Sequence, residues 1–156
     1  MRIATTRFGT VEVAADRVFH FPEGIPGFSG VRQFCLIDHP SAPAFQWLQA
    51  AEMPGLAFVV TNPHLFKPDY AIQVHRDELA PIELDDVARA MVLVILVVPR
   101  DDPRKMTANL QGPLVFNVEK RLAKQVVLAG NQYPIKYPVF SERTRESSGT
   151  SATGSA

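Results

Sequence analysis

The sequence predicts an all-β chain, mostly antiparallel, folded as a compact sandwich or closed barrel with one or two short helices. Three observations point there. Apolar runs of strand length recur roughly every 8–12 residues, each bounded by Pro, Gly or Asn. The 156 residues include 13 prolines, more than the ~5% average, and proline inside a helix costs ~3 kcal/mol. Helical spacing is found in one short stretch.

Taken in order, Arg2–Thr6 and Thr10–Val13 flank Arg7-Phe8-Gly9, a hairpin in which glycine supplies a positive φ. Val18–Phe21 follows, with His20 between two phenylalanines and expected to face outward. Pro22-Glu23-Gly24-Ile25-Pro26-Gly27-Phe28 reads as turns. It is no phosphate loop, because two prolines remove N–H donors and no lysine follows. Phe34–Asp38, Phe45–Gln49, Ala57–Thr61 and Tyr70–Val74 are further strand-length runs. Trp47 is expected in the core, since neither residue set alternating around it is clearly polar.

Leu84, Val87, Ala88 and Met91 fall at i, i+3, i+4 and i+7, predicting a short helix. Asp85 and Asp86 would lie in its first turn, where the helix dipole favours negative charge, and Pro81 would stop any extension backward. Ala90–Val98, rich in β-branched residues and closed by Pro99, reads as a strand buried on both faces. Met106–Leu110, Leu114–Val118 and Gln125–Leu128 complete the set, with the basic Lys120–Lys124 stretch expected on an exposed sheet edge.

The folded unit is therefore one β-rich domain over residues 1–140. Residues 141–156 contain no Leu, Ile, Val, Met or aromatic side chain. Ordering them would cost ~1–2 kcal/mol of backbone entropy each with little to bury in return, so a disordered C-terminal tail is expected.

Composition narrows the function classes. Sixteen basic and sixteen acidic residues leave no net charge, so no global field draws the chain to nucleic acid or to an anionic membrane. The longest apolar run, Ala90–Val98, is far short of the ~20 residues a membrane-spanning helix needs. No signal-peptide pattern opens the chain, and a cytoplasmic protein is expected. The single cysteine, Cys35, excludes an intramolecular disulfide and a multi-thiolate metal site. Locally the charge is uneven: an acidic excess gathers in Asp69, Asp77, Glu78, Glu83, Asp85 and Asp86. This is either a solvated connection or a surface for a basic partner.

Catalytic chemistry finds no purchase. Cys35 and His39 are four apart, but Cys35 sits in the apolar run Phe34–Ile37, where a buried thiol is inert. No two of His20, His39, His64 and His75 have the spacing that puts two metal ligands on one helical face. Asp85-Asp86 and Asp101-Asp102 are adjacent in sequence, so their carboxylates point apart rather than pairing for acid–base work. No enzyme, cofactor or metal is expected.

Several unusual strings remain: Phe21-Pro22-Glu23-Gly24-Ile25-Pro26-Gly27-Phe28, Trp47-Leu48-Gln49, Leu56–Thr61 and Phe66-Lys67-Pro68-Asp69-Tyr70. Met106–Pro113 and Lys124-Gln125-Val126-Val127-Leu128 follow them. Together and in this order they resemble the bacterial flagellar assembly factor family FliW, over about residues 1–138. The resemblance implies a small cytoplasmic, non-enzymatic β-rich protein that binds flagellin and also CsrA, the carbon storage regulator, a basic RNA-binding dimer that represses flagellin translation. It further implies partner switching, with flagellin occupancy leaving the regulator free to repress, and antagonism exerted away from the regulator's RNA-binding face.

Candidate partner-binding residues are Phe66, Pro68, Asp69 and Tyr70 in a Pro-bounded loop, Asp85 and Asp86 in the acidic segment, and Asn109 and Gln111 on a neighbouring polar strand. Core packing is the competing role for Phe66 and Tyr70. Lys67 departs from the otherwise apolar and acidic character of its segment. A different class of function, a small-molecule-binding β-barrel or a hydrolase whose site forms only in the fold, would show itself as a cavity shared by Cys35 and His39.

Overall fold

The computed structural model describes residues 1–130 and 132–140; the expected tail, 141–156, lies outside them. Among the described residues, β1 (Arg2–Thr5) and β2 (Gly9–Glu12) form the foreseen hairpin. Gly9 has φ +67°, and the Thr5 hydroxyl accepts from the N–H of Phe8 and donates to the carbonyl of Gly9. The remaining strands are β3 (Val18–His20), β4 (Gln33–Asp38), β5 (Phe45–Ala50), β6 (Ala57–Thr61), β7 (Met91–Val97), β8 (Thr107–Ala108), β9 (Leu114–Asn117), β10 (Leu122–Gln125) and β11 (Tyr137–Pro138).

Strands run β7-β6-β5-β4-β3-β10-β9, and β9 pairs back onto β7, closing a seven-stranded barrel. All its neighbours are antiparallel except β3 and β10, which meet in parallel at Leu122 and His20. Strand β7 serves two partners along one edge: Met91–Leu93 pair with β9, and Leu96–Val97 pair with β8. Closure removes the free edges that an open sheet would expose.

The barrel is filled. Phe19, Phe21, Phe34, Leu48, Leu93, Leu114 and Phe116 form its core, with the Phe19–Phe116 and Phe21–Phe34 rings edge to face at 5.0 and 5.1 Å. Outside it, three segments each cover an apolar patch. The β1–β2 hairpin lays Ile3 and Val13 over Cys35. Tyr70 and Tyr133 cover Val94 and Leu96. Leu79 and Ile82 cover Val115 and Val126. This explains why β7 reads as a continuous apolar run: Leu93 faces the barrel core while Val94 and Leu96 face a covering segment.

Between β3 and β4 the chain turns at Gly24 (φ +67°), where a Cβ would lie 2.6 Å from the Cα of Ser29, so only glycine fits.

Five expectations are corrected. The helix expected at 84–91 does not form. Glu83 is left-handed (φ 60°), Asp86 is extended and spends its carboxylate capping a single 3₁₀ turn at Val87–Arg89, and Met91 is taken into the ladder with Phe116. Local capping and strand pairing outcompete a two-turn periodicity. The helix that does form, α1 (Arg76–Leu79), continues into a 3₁₀ turn at Ala80–Ile82, with Pro81 in its first turn, where a missing N–H costs little. Tyr70–Val74 is not a strand; the hydroxyl of Tyr133 takes the place of a ladder partner, bonding both N–H and C=O of Ala71 at 3.1 and 3.0 Å.

Strand β10 lies at 122–125 rather than 125–128, because Arg121 adopts φ 56° and the β9–β10 turn is completed by the Lys120 N–H on Asn117 Oδ1. The Lys120–Lys124 stretch is accordingly a turn plus an internal strand, not an edge: β10 has β9 on one side and β3 on the other. Finally, Trp47 is only half-buried and lies outside the barrel core. It stacks against His39, meets Phe8 edge-on and carries the Arg7 guanidinium 4.0 Å above its ring.

Candidate partner-binding surface

The segment after β6 is shaped by its own side chains. Asn62 Oδ1 accepts from the N–H of His64, and Pro63 starts a 3₁₀ turn. The chain then folds back so that Tyr70 is buried, its hydroxyl donating to the Leu110 carbonyl at 2.6 Å and its ring 4.6 Å from that of Tyr133. Burial pushes the Tyr70 ionisation up. Tyr70 therefore positions this segment and offers no contact surface of its own.

Phe66 is half-buried, stacked 5.9 Å from Tyr137 beside a groove of about 430 Å³ that also takes in Leu65 and Phe45. Pro68 and Asp69 are exposed. Lys67 is resolved by its surroundings: its ammonium lies 3.1 Å from the Asp69 carboxylate and 5.5 Å from the centre of the Tyr137 ring. The hydrogen bond between them lowers the Asp69 pKa and raises that of Lys67. The pair is locally neutral.

Asn109 and Gln111 lie in the turn between β8 and β9. Asn109 Oδ1 accepts from the N–H of Gln111 and of Gly112 at 3.1 and 2.9 Å, and Gln125 Nε2 donates to the Gly112 carbonyl at 2.8 Å. A Cβ on Gly112 would lie 2.8 Å from Gln125 Nε2 and 3.0 Å from Asn109 Nδ2, so a larger residue there would displace these amides. Gln111 and Asp69 share a groove of about 400 Å³ with Gln73 and Tyr133. Gln111 and Asn109 share a second, of about 370 Å³.

Asp85 and Asp86 line none of these grooves. They are exposed on the connection from α1 to β7, with Asp85 4.0 Å from Arg89 and Asp86 capping the turn that follows. Their connection is bolted to the barrel by groups that sequence reading missed. Asn117 Nδ2 donates to the carbonyls of Ile82 and Glu83, and Lys124, almost fully buried, donates to the Glu78 carbonyl at 2.8 Å. The Lys124 ammonium also lies 3.3 Å from Glu23 in the Gly24 loop. A lysine following Leu122 and Ala123, and an asparagine closing the apolar run Leu114–Phe116, were the available signal. The eight candidates thus divide into a groove set around Phe66, Asp69, Asn109 and Gln111, and a separate charged set at Asp85 and Asp86.

Nucleophilic chemistry gains no geometry from the fold. Cys35 lies under the hairpin, its pKa raised to about 11 by burial, while His39 stacks on Trp47 and borders a groove of about 260 Å³ that Cys35 does not reach. Among the described residues no three His, Cys, Asp or Glu side chains are grouped so as to hold a metal ion, and no helix is long and apolar enough to cross a membrane.

The chain matches the sequence profile of the family described as FliW protein over residues 2–139. It is 39% identical over 142 residues to the flagellar assembly factor FliW of Moorella thermoacetica, covering 91% of this chain and 90% of that protein. It is 41% identical to that of Bdellovibrio bacteriovorus, covering 91% and 81%. A crystal structure of the flagellar assembly factor FliW superposes with a TM-score of 0.81 at 34% identity, over 92% of this chain and 99% of that one. By profile, by relatives and by fold, this chain belongs to the FliW family of flagellar assembly factors.

Proposed function

We propose that this protein is a non-enzymatic, cytoplasmic flagellar assembly factor that exchanges two partners. It binds flagellin, and it binds the translational regulator CsrA and so relieves repression of flagellin translation. Family membership across residues 2–139 carries this reading. The acidic connection supports it, because exposed Asp77, Glu78, Asp85 and Asp86 complement a basic partner and speed its encounter.

Switching needs no chemistry. Two ligands that require overlapping surface or opposed states exclude each other in proportion to concentration over Kd. A rigid filled barrel supplies the scaffold, and a few anchoring side chains suffice for recognition. Flagellin accumulating inside the cell occupies the protein and releases the regulator; export of flagellin reverses the balance.

Calorimetric titration with each purified partner tests the reading, and no heat from either at about tens of micromolar, a weak affinity for a regulatory complex, would refute it. Replacing Asp69, Asp85 and Asp86 together by lysine is expected to weaken the CsrA complex and flatten its salt dependence. Unchanged binding would remove the acidic surface from the mechanism while leaving the assembly role intact.

A further inference from the structure

We propose that the groove between the Gly24 loop and the Asn109–Gly112 turn docks an uncharged, apolar polypeptide segment, at a surface separate from the acidic connection. The inference rests on the reading that this chain works by docking partners, and adds where and by what chemistry one of them sits.

Charge is the first argument. None of the residues lining this groove of about 370 Å³ is ionisable. A charged segment entering it would shed hydration without meeting a counter-charge, which is costly. The floor is apolar and open to solvent: Val127 is 67% exposed and Ile135 58%, and exposed Phe28 packs edge-on at 5.8 Å against Phe58, which lines the groove. Exposed apolar side chains gathered in a polar rim mark interaction surfaces more than scattered ones do.

The rim supplies the second argument. Asn109 spends its Oδ1 on two backbone N–H groups, leaving its NH₂ without a partner among the described residues. Gln125 spends its Nε2 on Gly112, leaving its Oε1 equally free. The backbone beside them repeats the pattern. Val126 N–H bonds the Pro113 carbonyl and Leu128 N–H bonds that of Gln111, while both polar groups of Val127 between them have no bond among the described residues. Neutral donors and acceptors around an apolar floor match the main chain of a peptide whose side chains are apolar. Gln111 carries the surface on into the adjoining groove, where Lys67 already neutralises Asp69.

The test titrates flagellin and CsrA calorimetrically into the full chain and into its Val127→Asp and Ile135→Asp variants, at about 50 and 500 mM salt. Both sites are exposed, so both variants are expected to keep the wild-type melt, and Val127→Leu serves as the conservative control. The expected result is loss of at least about tenfold in affinity for one partner in both Asp variants. Val127→Leu keeps that binding, and the wild-type affinity for the same partner varies less than about threefold with salt. The inference is overturned if both partners bind both Asp variants within about twofold of wild type, or if the partner lost on mutation is equally lost to salt. A wild-type chain that binds neither partner overturns the docking reading itself, and this inference with it.

Discussion

In the barrel, Phe21, Phe34, Leu48, Leu114 and Phe116 are wholly buried and pack on one another. In the segments wrapped around it, 62–90, 126–130 and 132–140, smaller apolar patches are supplemented by separate polar tethers. These are Tyr70 to the Leu110 carbonyl, Tyr133 to both backbone groups of Ala71, Asn117 to Ile82 and Glu83, and Lys124 to Glu78. Dispersed burial is cooperative and hard to lose piecemeal, whereas a tether fails by itself. The candidate docking residues lie in the tethered regions and in the β8–β9 turn they hold, so binding can be altered there without unfolding the scaffold.

The largest expected effect lies in the barrel. Phe116→Ala should cost about 3–5 kcal/mol in chemical denaturation, through a cavity that the surrounding rings cannot close. A loss as small as that of a tether mutant would erase the distinction between the two regions.

Lys124→Met comes next, at about 1–3 kcal/mol, the scale of a buried hydrogen bond from a charged donor. Native-state hydrogen exchange should show protection falling in residues 76–83 and in the Gly24 loop, which Lys124 joins through Glu23, while β4–β6 stay protected. Loss spread evenly through the barrel strands would contradict a local tether.

Tyr70→Phe should cost about 1–2 kcal/mol at neutral pH, because the buried Leu110 carbonyl loses its donor. Its pH dependence sharpens the comparison. Burial raises the ionisation of Tyr70 above its ordinary 10.0, and that of Cys35 from 9.0 to about 11. The fold thus favours both neutral forms. Their contribution is intact below the unfolded values and is lost as pH rises through the folded ones. The wild-type thermal midpoint should fall above pH 9, and that of Tyr70→Phe should fall less steeply above pH 10. Parallel curves would deny Tyr70 its share.

The smallest effect belongs to the exposed charges. Asp85→Asn with Asp86→Asn should leave the melting temperature unchanged, since asparagine also caps a turn and exposed ion pairs contribute little. A drop comparable to that of Tyr70→Phe would make the acidic connection a structural element.

Legibility followed the same division. The hairpin at Gly9, the turns around Gly24 and most barrel strands could be read from alternation and punctuation, because each is a local pattern with a local cause. The misplaced helix at 84–91 shows the limit: its apolar periodicity is present, but Leu84 and Val87 pack on the cluster around Ile82 and Val126 while Met91 joins β7. Of the candidate site, the residues themselves could be named. Which of them face solvent could not, and Tyr70 proved to be a tether.

Strand-length apolar runs, glycines at forced turns and a polar balance of charge were determined by the order of amino acids, since they act within a few residues. Barrel closure of β9 onto β7, the burial of Lys124 and Asn117 under a loop some 35–46 positions away, and the parting of neutral groove from acidic connection were decided only in three dimensions. They depend on contacts between residues far apart in the chain, whose pairing no local preference specifies.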